Sequence, residues 1–540
     1  MNREPYERMG EGHIGSNGPQ APGALVRSVG RWPLLFTGLG AMIGSGWLFG
    51  AARAAALAGP ASMFAWVIGS IIALSIAALA TELGAMFPVA GGMVRYAQVT
   101  HGRPLGFLTA CANWIAITSV IPIEAEASVQ YMSAWPYPWA HALYRNGTLT
   151  PEALVIAGAL VVVYFLVNYW GMRIFARVNA AVTVFKLFVP CATALTLLAV
   201  ALHAGVHPMG PFLPYGASGV LTAVATSGIV FAYNGFQSPL NLAGEVRDPG
   251  RSVPFATLGS VGVATIVYLL LQAAFLVAAH PGAGGWASLD LASPFADLAL
   301  SFQLNGIVAL LYLDAFVSPS GTGATDMATS ARLTLGMQRN GTAPAVFGRT
   351  HPLYHAPRPA LWLSLIVSFV LLYFFRGWSI LAGAISVSVV ISYLMIPVCA
   401  VALRRRLPSH PRPWRLRGIA VIGPLSFVFA SWLLYWACWP LSAEVILLVL
   451  ACVPLYLWVR AKDPWRVHRD AVRTALWFPA YLIAIAVLSF AGSPQFGGRG
   501  WIAYPWDLAA VAAVALVFFR WGVAASLSNP DLECLIEPEV

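Results

Sequence analysis

Few residues in this chain can carry chemistry, and most of them sit where water is scarce. Lys186 lies in Val184-Phe185-Lys186-Leu187-Phe188, in the middle of an apolar block. It is too deep for its four-carbon stem to reach water, so it is a candidate for reversible protonation and for pairing with polar groups of other segments. Glu124 and Glu126 follow Pro122 in a second apolar block. Residues two apart are about 200° apart around a helix, so the two carboxyls share a face only if the helix breaks after Pro122. Asp314 precedes the run Ser318-Pro319-Ser320-Gly321-Thr322-Gly323. Its hydroxyls suit a cation or an ammonium group, and the competing reading is a Pro/Gly kink resatisfied by its own Ser and Thr. Asp326, further along the same segment, is expected at the segment's cytoplasmic end.

Two glycine clusters offer backbone rather than side chains. The first is Gly38-Leu39-Gly40-Ala41-Met42-Ile43-Gly44-Ser45-Gly46-Trp47-Leu48-Phe49-Gly50. Glycine costs a helix about 1 kcal/mol relative to alanine, so Gly44-Ser45-Gly46 is a good place for a break. The competing reading is close helix packing through small residues four apart. The second cluster is Phe231-Ala232-Tyr233-Asn234-Gly235-Phe236-Gln237-Ser238-Pro239. Paired interruptions in corresponding positions of two halves mark a transporter binding site, where frayed half-helices offer free N–H groups to a carboxylate and free carbonyls to a cation.

The elements that must position these residues are membrane spans. The chain is 59% hydrophobic and 10% charged, with a mean hydropathy of +0.73, whereas a soluble domain carries roughly 25% charged residues. Apolar blocks near the 20 residues that cross a bilayer recur along the chain. Spans are expected near 32–53, 62–87, 105–134, 152–171, 175–203, 218–243, 255–280, 303–336, 359–375, 378–403, 418–438, 442–459, 474–491 and 505–524, about fourteen in all. Of the 31 Lys and Arg residues, 26 then fall on the side of the N-terminus, four (Arg53, Arg145, Arg376, Arg499) on the other, and Lys186 within a span. That bias predicts both termini in the cytoplasm of a cell inner (plasma) membrane. The first and sixth spans carry the two glycine clusters, an offset that suits a five-plus-five inverted repeat.

The net charge of +10 does not point to nucleic acid, because the basic residues form short clusters between apolar blocks. The six cysteines form no CxxC pair, so neither disulfides nor a metal site is expected. No HExxH, Walker A or clustered His/Asp set supports an enzyme, and no filter sequence supports a channel. Catalytic residues and cofactors are therefore not expected.

The chain resembles the amino acid–polyamine–organocation (APC) superfamily of permeases, whose fold is like that of the bacterial leucine transporter. The resemblance runs across spans 1 to 10. It is carried by Ile43-Gly44-Ser45-Gly46, Glu82-Leu83 with Pro88 and Gly91-Gly92, Phe231-Ala232-Tyr233 with Gly235, Ala243-Gly244-Glu245-Val246-Arg247-Asp248-Pro249, Arg251-Ser252-Val253-Pro254, Ser330-Ala331-Arg332-Leu333 and Arg339-Asn340-Gly341-Thr342-Ala343-Pro344. Trp47-Leu48-Phe49, His101-Gly102, Asn168-Tyr169-Trp170, Leu313-Asp314-Ala315 and Gly423-Pro424-Leu425-Ser426-Phe427 bring it nearest to the aspartate–proton symporters.

The resemblance implies an all-α integral membrane protein with a core at 31–404, inverted repeats at about 31–203 and 218–404, four additional spans at 405–526, and cytoplasmic tails at 1–30 and 527–540. It implies substrate binding at Ile43, Gly44, Ser45 and Gly46 and at Phe231, Ala232, Tyr233, Asn234, Gly235 and Phe236. Lys186 matches the span 5 lysine that takes the place of a sodium ion in proton-coupled relatives, so it should meet span 1 and, at Ser318 and Thr322, span 8. Glu124 and Asp314 are the further candidates for proton coupling. Gln237 stands where many members have Glu, and no second cation faces the central spans. The expected function is proton-coupled amino acid symport, for aspartate or another acidic amino acid, with the proton as the coupling ion. The alternatives are an exchanger, or an uptake permease for a neutral or cationic amino acid. The expected partners are the amino acid and the lipid bilayer, with monomer and homodimer both open.

Overall fold

The computed structural model describes residues 29–88, 92–170, 173–205, 210–282, 284–289, 291–352, 354, 356–460 and 472–527. The two expected tails, apart from residues 29, 30 and 527, Gly91 and most of the basic stretch 460–473 lie outside the described residues. Apolar composition without strand periodicity yields helices almost throughout. A lipid-facing backbone must satisfy every N–H and C=O within the segment, which a helix does. Among the described residues the one sheet is a hairpin of two-residue strands, Tyr144–Arg145 and Thr148–Leu149. Its turn is Asn146-Gly147, both at positive φ as that turn type requires.

The helices in chain order are α1 (Arg31–Met42), α2 (Gly46–Ala58), α3 (Ser62–Met86), α4 (Gly92–His101), α5 (Arg103–Met132), α6 (Pro151–Tyr169), α7 (Arg173–His203), α8 (Gly216–Thr226), α9 (Ile229–Tyr233), α10 (Ser238–Asn241), α11 (Pro249–Ala278), α12 (Pro294–Ser301) and α13 (Asn305–Arg339). Then come α14 (Arg358–Phe374), α15 (Trp378–Tyr393), α16 (Met395–Arg406), α17 (Ile419–Trp436), α18 (Leu441–Leu450), α19 (Cys452–Val459), α20 (Trp477–Ala491) and α21 (Trp506–Ala524).

Among the described residues, eleven helical stretches are long and apolar enough to cross a membrane, or twelve if the bent pair α8 and Ile229–Glu245 is one span. One stretch, Gly46–Met86, joins the second half of expected span 1 to all of span 2, and Arg358–Phe374 falls just short at 17 residues. α5 is buried nearly all round and packs against α13, α15 and α6, so it forms the axis of the molecule. α18 and α19 keep most of their surface exposed, as lipid-facing helices do.

At the end of the bundle that holds the start of α5, polar contacts at Glu82 and His101 fasten the end of the core and the chain beyond it to α3 and α4. Arg404 of α16 donates to both carboxylate oxygens of Glu82 on α3, at 2.7 and 2.6 Å, and the Leu416 N–H donates to Glu82 Oε2 at 2.8 Å. A fork-to-carboxylate pair of this kind fixes geometry as well as charge. His101, closing α4, sits with Nε2 2.8 Å from the Gly522 carbonyl of α21, while its own carbonyl accepts from Thr474 Oγ1 at 2.7 Å.

Candidate functional site

The two breaks lie against each other at the centre of the bundle. α1 ends at Met42, the Ile43 N–H makes its last helical bond to the Leu39 carbonyl at 2.9 Å, and after Gly44-Ser45 α2 starts at Gly46 with no side-chain cap. The other break is double. The chain leaves the helix at Ser227-Gly228, makes one turn as α9, and leaves it again at Asn234-Gly235. Phe231-Ala232-Tyr233, at the start of the second glycine cluster, is thus a helical turn between two breaks. Gly228 (φ 92°) and Gly235 (φ 120°) hold conformations open to glycine and strained for other residues. A Cβ on Gly235 would lie 2.7 Å from the Ala41 carbonyl carbon, so the two chains cross here with no room for a side chain.

Broken helices inside a membrane need partners for their freed backbone groups, and these partners define the site. The Ser45 N–H donates to Glu124 Oε2 at 2.9 Å. Ser45 Oγ accepts from the Trp378 indole N–H at 2.9 Å. Tyr268 of α11 serves both breaks: its hydroxyl lies 3.1 Å from the Met42 carbonyl and 2.9 Å from the Ala232 carbonyl. The Gly235 N–H donates to Gln237 Oε1 at 3.1 Å. Gly46 packs on Ala232, where a Cβ would come within 3.1 Å.

Lys186 is buried on α7 and donates to the Gly40 carbonyl of α1 at 3.0 Å and to Thr322 Oγ1 of α13 at 2.7 Å. Thr322 in turn donates to the Ser318 carbonyl at 3.3 Å. Ser318 does not reach Lys186 with its own hydroxyl, which donates to Asp314 Oδ1 at 2.7 Å. The amine therefore bridges the first broken helix and α13.

A cavity with about 460 Å³ of atom-free space, its open mouth included, runs from the breaks toward the end of the bundle that holds the start of α5. Gly44, Glu124, Phe231, Asn234, Gly235 and Thr322 line it. Ile43, Ser45, Gly46, Ala232, Tyr233, Phe236, Lys186, Asp314 and Ser318 do not. Tyr233 turns away to Thr265, at 3.0 Å, and Phe236 packs on Tyr393 with ring centroids 5.0 Å apart. α5 is continuous through Pro122, so Glu124 faces the cavity and Glu126 does not; both Glu126 oxygens are buried with no hydrogen bond among the described residues.

Asp326 corrects an expectation. Placed by sequence at the end of its span, it lines the cavity together with Thr322 and Thr329. The i, i+4, i+7 spacing of these three is the signal that could have found it. Gln237 and Ser238 of the second glycine cluster line the cavity too, and Asn241 and Thr329 are lining residues that sequence reasoning did not single out.

The opposite end is sealed by aromatic rings. Trp378 lies 4.8 Å from Phe49 and 5.9 Å from Phe231, and Phe49 lies 5.3 Å from Tyr131, centroid to centroid. These rings are buried. The site is thus open at one end only.

The amino acid permease family model matches residues 29–446. The glutamate/serine transporter AimA of Bacillus subtilis is 50% identical over 515 residues, 94% of this chain and 96% of that protein. The aspartate–proton symporter of the same organism is 33% identical over 524 residues, 95% of this chain and 99% of that protein. The branched-chain amino acid permease BcaP, also from that organism, is 25% identical over 448 residues, 80% of this chain and 93% of that protein. With helices broken where backbone is needed, a cavity at the breaks and a family match across the whole core, this chain belongs to the amino acid permease family of the APC superfamily, as a multi-pass membrane transporter and not an enzyme.

Proposed function

We propose that the chain is a proton-coupled symporter that takes up an acidic or small hydroxyl amino acid across the plasma membrane, with the open end of the cavity and both termini facing the cytoplasm. The observation that carries this is the placement of Lys186 between Gly40 and Thr322, with Glu124 on the Ser45 N–H. Glu124 occupies a backbone donor at the start of α2, where a substrate carboxylate would bind. Protonation of Glu124 removes its charge and frees that N–H, so proton and substrate anion enter together. Deprotonation of Lys186 weakens its two hydrogen bonds and lets α1 part from α13. The cargo class is supported by the names of the relatives at 50% and 33% identity, a glutamate/serine transporter and an aspartate–proton symporter. The orientation is supported by the charge bias between the two sides. A five-plus-five repeat in residues 31–404 followed by four further spans, about fourteen in all, is part of the same proposal.

Uptake of radiolabelled aspartate, glutamate and serine into proteoliposomes, with and without an inward pH gradient, tests it. Wild-type protein should accumulate at least one of them against its gradient, and Lys186→Ala should lower gradient-driven accumulation at least tenfold. Counterflow indifferent to the pH gradient would instead make the chain an exchanger.

A further inference from the structure

An asparagine presents a donor at one end of its amide and an acceptor at the other, and a free one can turn either way. Asn234 cannot. The Gly235 N–H is a donor and nothing else, and it points at the Gln237 amide from 3.1 Å. Gln237 must therefore turn its oxygen to Gly235, which turns its NH2 to Asn234, 2.9 Å away. The atom of Asn234 that receives it must be Oδ1. Tyr393 fits this order: its hydroxyl lies 2.9 Å from Gln237 Oε1 and 3.3 Å from Asn234 Oδ1 and donates its one proton between them. A backbone N–H thus sets the polarity of two amides in series. Asn234 lines the cavity, and its Nδ2 has no hydrogen bond among the described residues.

Resting on the substrate class proposed above, we propose that Asn234 is the residue that selects it: the amide NH2, held facing the cavity by Gln237 and Tyr393, donates to an oxygen of the substrate's side chain. The cavity's ionisable lining, Glu124 and Asp326, is acidic and provides no donor when ionised. Asn234 supplies one fixed donor. A side-chain carboxylate or hydroxyl accepts from it. A side-chain ammonium or guanidinium meets donor against donor and leaves the amide unsatisfied, which is how a polar site rejects a wrong substrate.

The test inverts the polarity without touching Asn234. In Gln237→Glu one oxygen of the introduced carboxylate still accepts from Gly235. The other now faces Asn234, which turns its NH2 toward that carboxylate and its own oxygen into the cavity. Serine, glutamate and alanine uptake are compared in proteoliposomes, each variant first checked as monodisperse by size exclusion. The ratio of serine to alanine uptake should fall about threefold to tenfold, the worth of a neutral hydrogen bond, and that of glutamate to alanine about tenfold to a hundredfold. Serine is the deciding probe, because charge repulsion from the introduced carboxylate acts on the glutamate side chain alone. Asn234→Leu, which removes the donor and leaves Gln237 in place, should lower both ratios and serves if Gln237→Glu does not fold. A serine-to-alanine ratio unchanged in the folded variants, with wild-type uptake intact, overturns the assignment of Asn234 and spares the transport reading. Absence of any amino acid uptake by the wild type overturns both.

Discussion

Single atoms set the tolerance of this site. A Cβ on Gly44 would lie 2.5 Å from Glu124 Oε1 and 3.0 Å from Thr322 Oγ1, so no methyl fits while both groups keep their positions. Gly44→Ala should fold, because that helix break is formed by Ile43 and Ser45 as well. It should displace Glu124 from the Ser45 N–H, leave that donor open whatever the protonation of Glu124, and so flatten the pH dependence of substrate affinity, measurable by scintillation proximity binding across pH; a wild-type pH dependence in Gly44→Ala would show that Glu124 does not gate that N–H. Much of this chemistry could be read in advance. Lys186 and Glu124 stand out because a charge in hydrocarbon is costly and therefore rare. Tyr268 did not, since a lone tyrosine in an apolar span is indistinguishable from an interface anchor until its hydroxyl is seen bridging the Met42 and Ala232 carbonyls.

At the scale of elements, the first break was foreseeable from three small residues in a row and the second cluster does break, at Asn234-Gly235, but a further break ahead of it was not foreseen. Pro239 starts α10, whereas the helix first breaks at Gly228. The reason is remote: the Trp378 ring rests on Gly228, where a Cβ would meet it at 2.5 Å, from about 150 residues down the chain. α4 illustrates the same dependence. Its His101 is buried between α21 and the ring of Trp477, and burial depresses its pKa from 6.5 to about 4, against the smaller upward effect of the Gly522 carbonyl. A histidine depressed in the folded state binds fewer protons than in the unfolded chain between those values, so stability is held above pH 6.5 and lost as pH falls toward 4. The loss is about 3 kcal/mol. Thermal melting of the detergent-solubilised protein from pH 7.5 to 4.5 should therefore fall more steeply for the wild type than for His101→Gln. Parallel curves would mean that α4 is not clamped through this ring.

For the molecule as a whole, hydropathy and the placement of arginines were enough for the class of fold, because the bilayer imposes them. Within Gly46–Met86 the expected gap between spans 32–53 and 62–87 holds the single turn at Gly59–Ala61, through which the second half of a broken span runs into the next with no polar loop to mark the passage. The aromatic seal adds a property that no residue has alone. Reaching the other face requires Phe49, Tyr131, Phe231 and Trp378 to separate and be wetted. Exposing apolar rings to water raises the heat capacity, by about 0.3 kcal/mol/K at most if all four are wetted completely. The enthalpy of opening then grows on warming, and uptake should give an Arrhenius plot that steepens with temperature even in lipids without a phase transition, and straightens in Trp378→Ala. Such a permease carries its thermometer in its plug: the colder the membrane, the less the rate changes with each further degree.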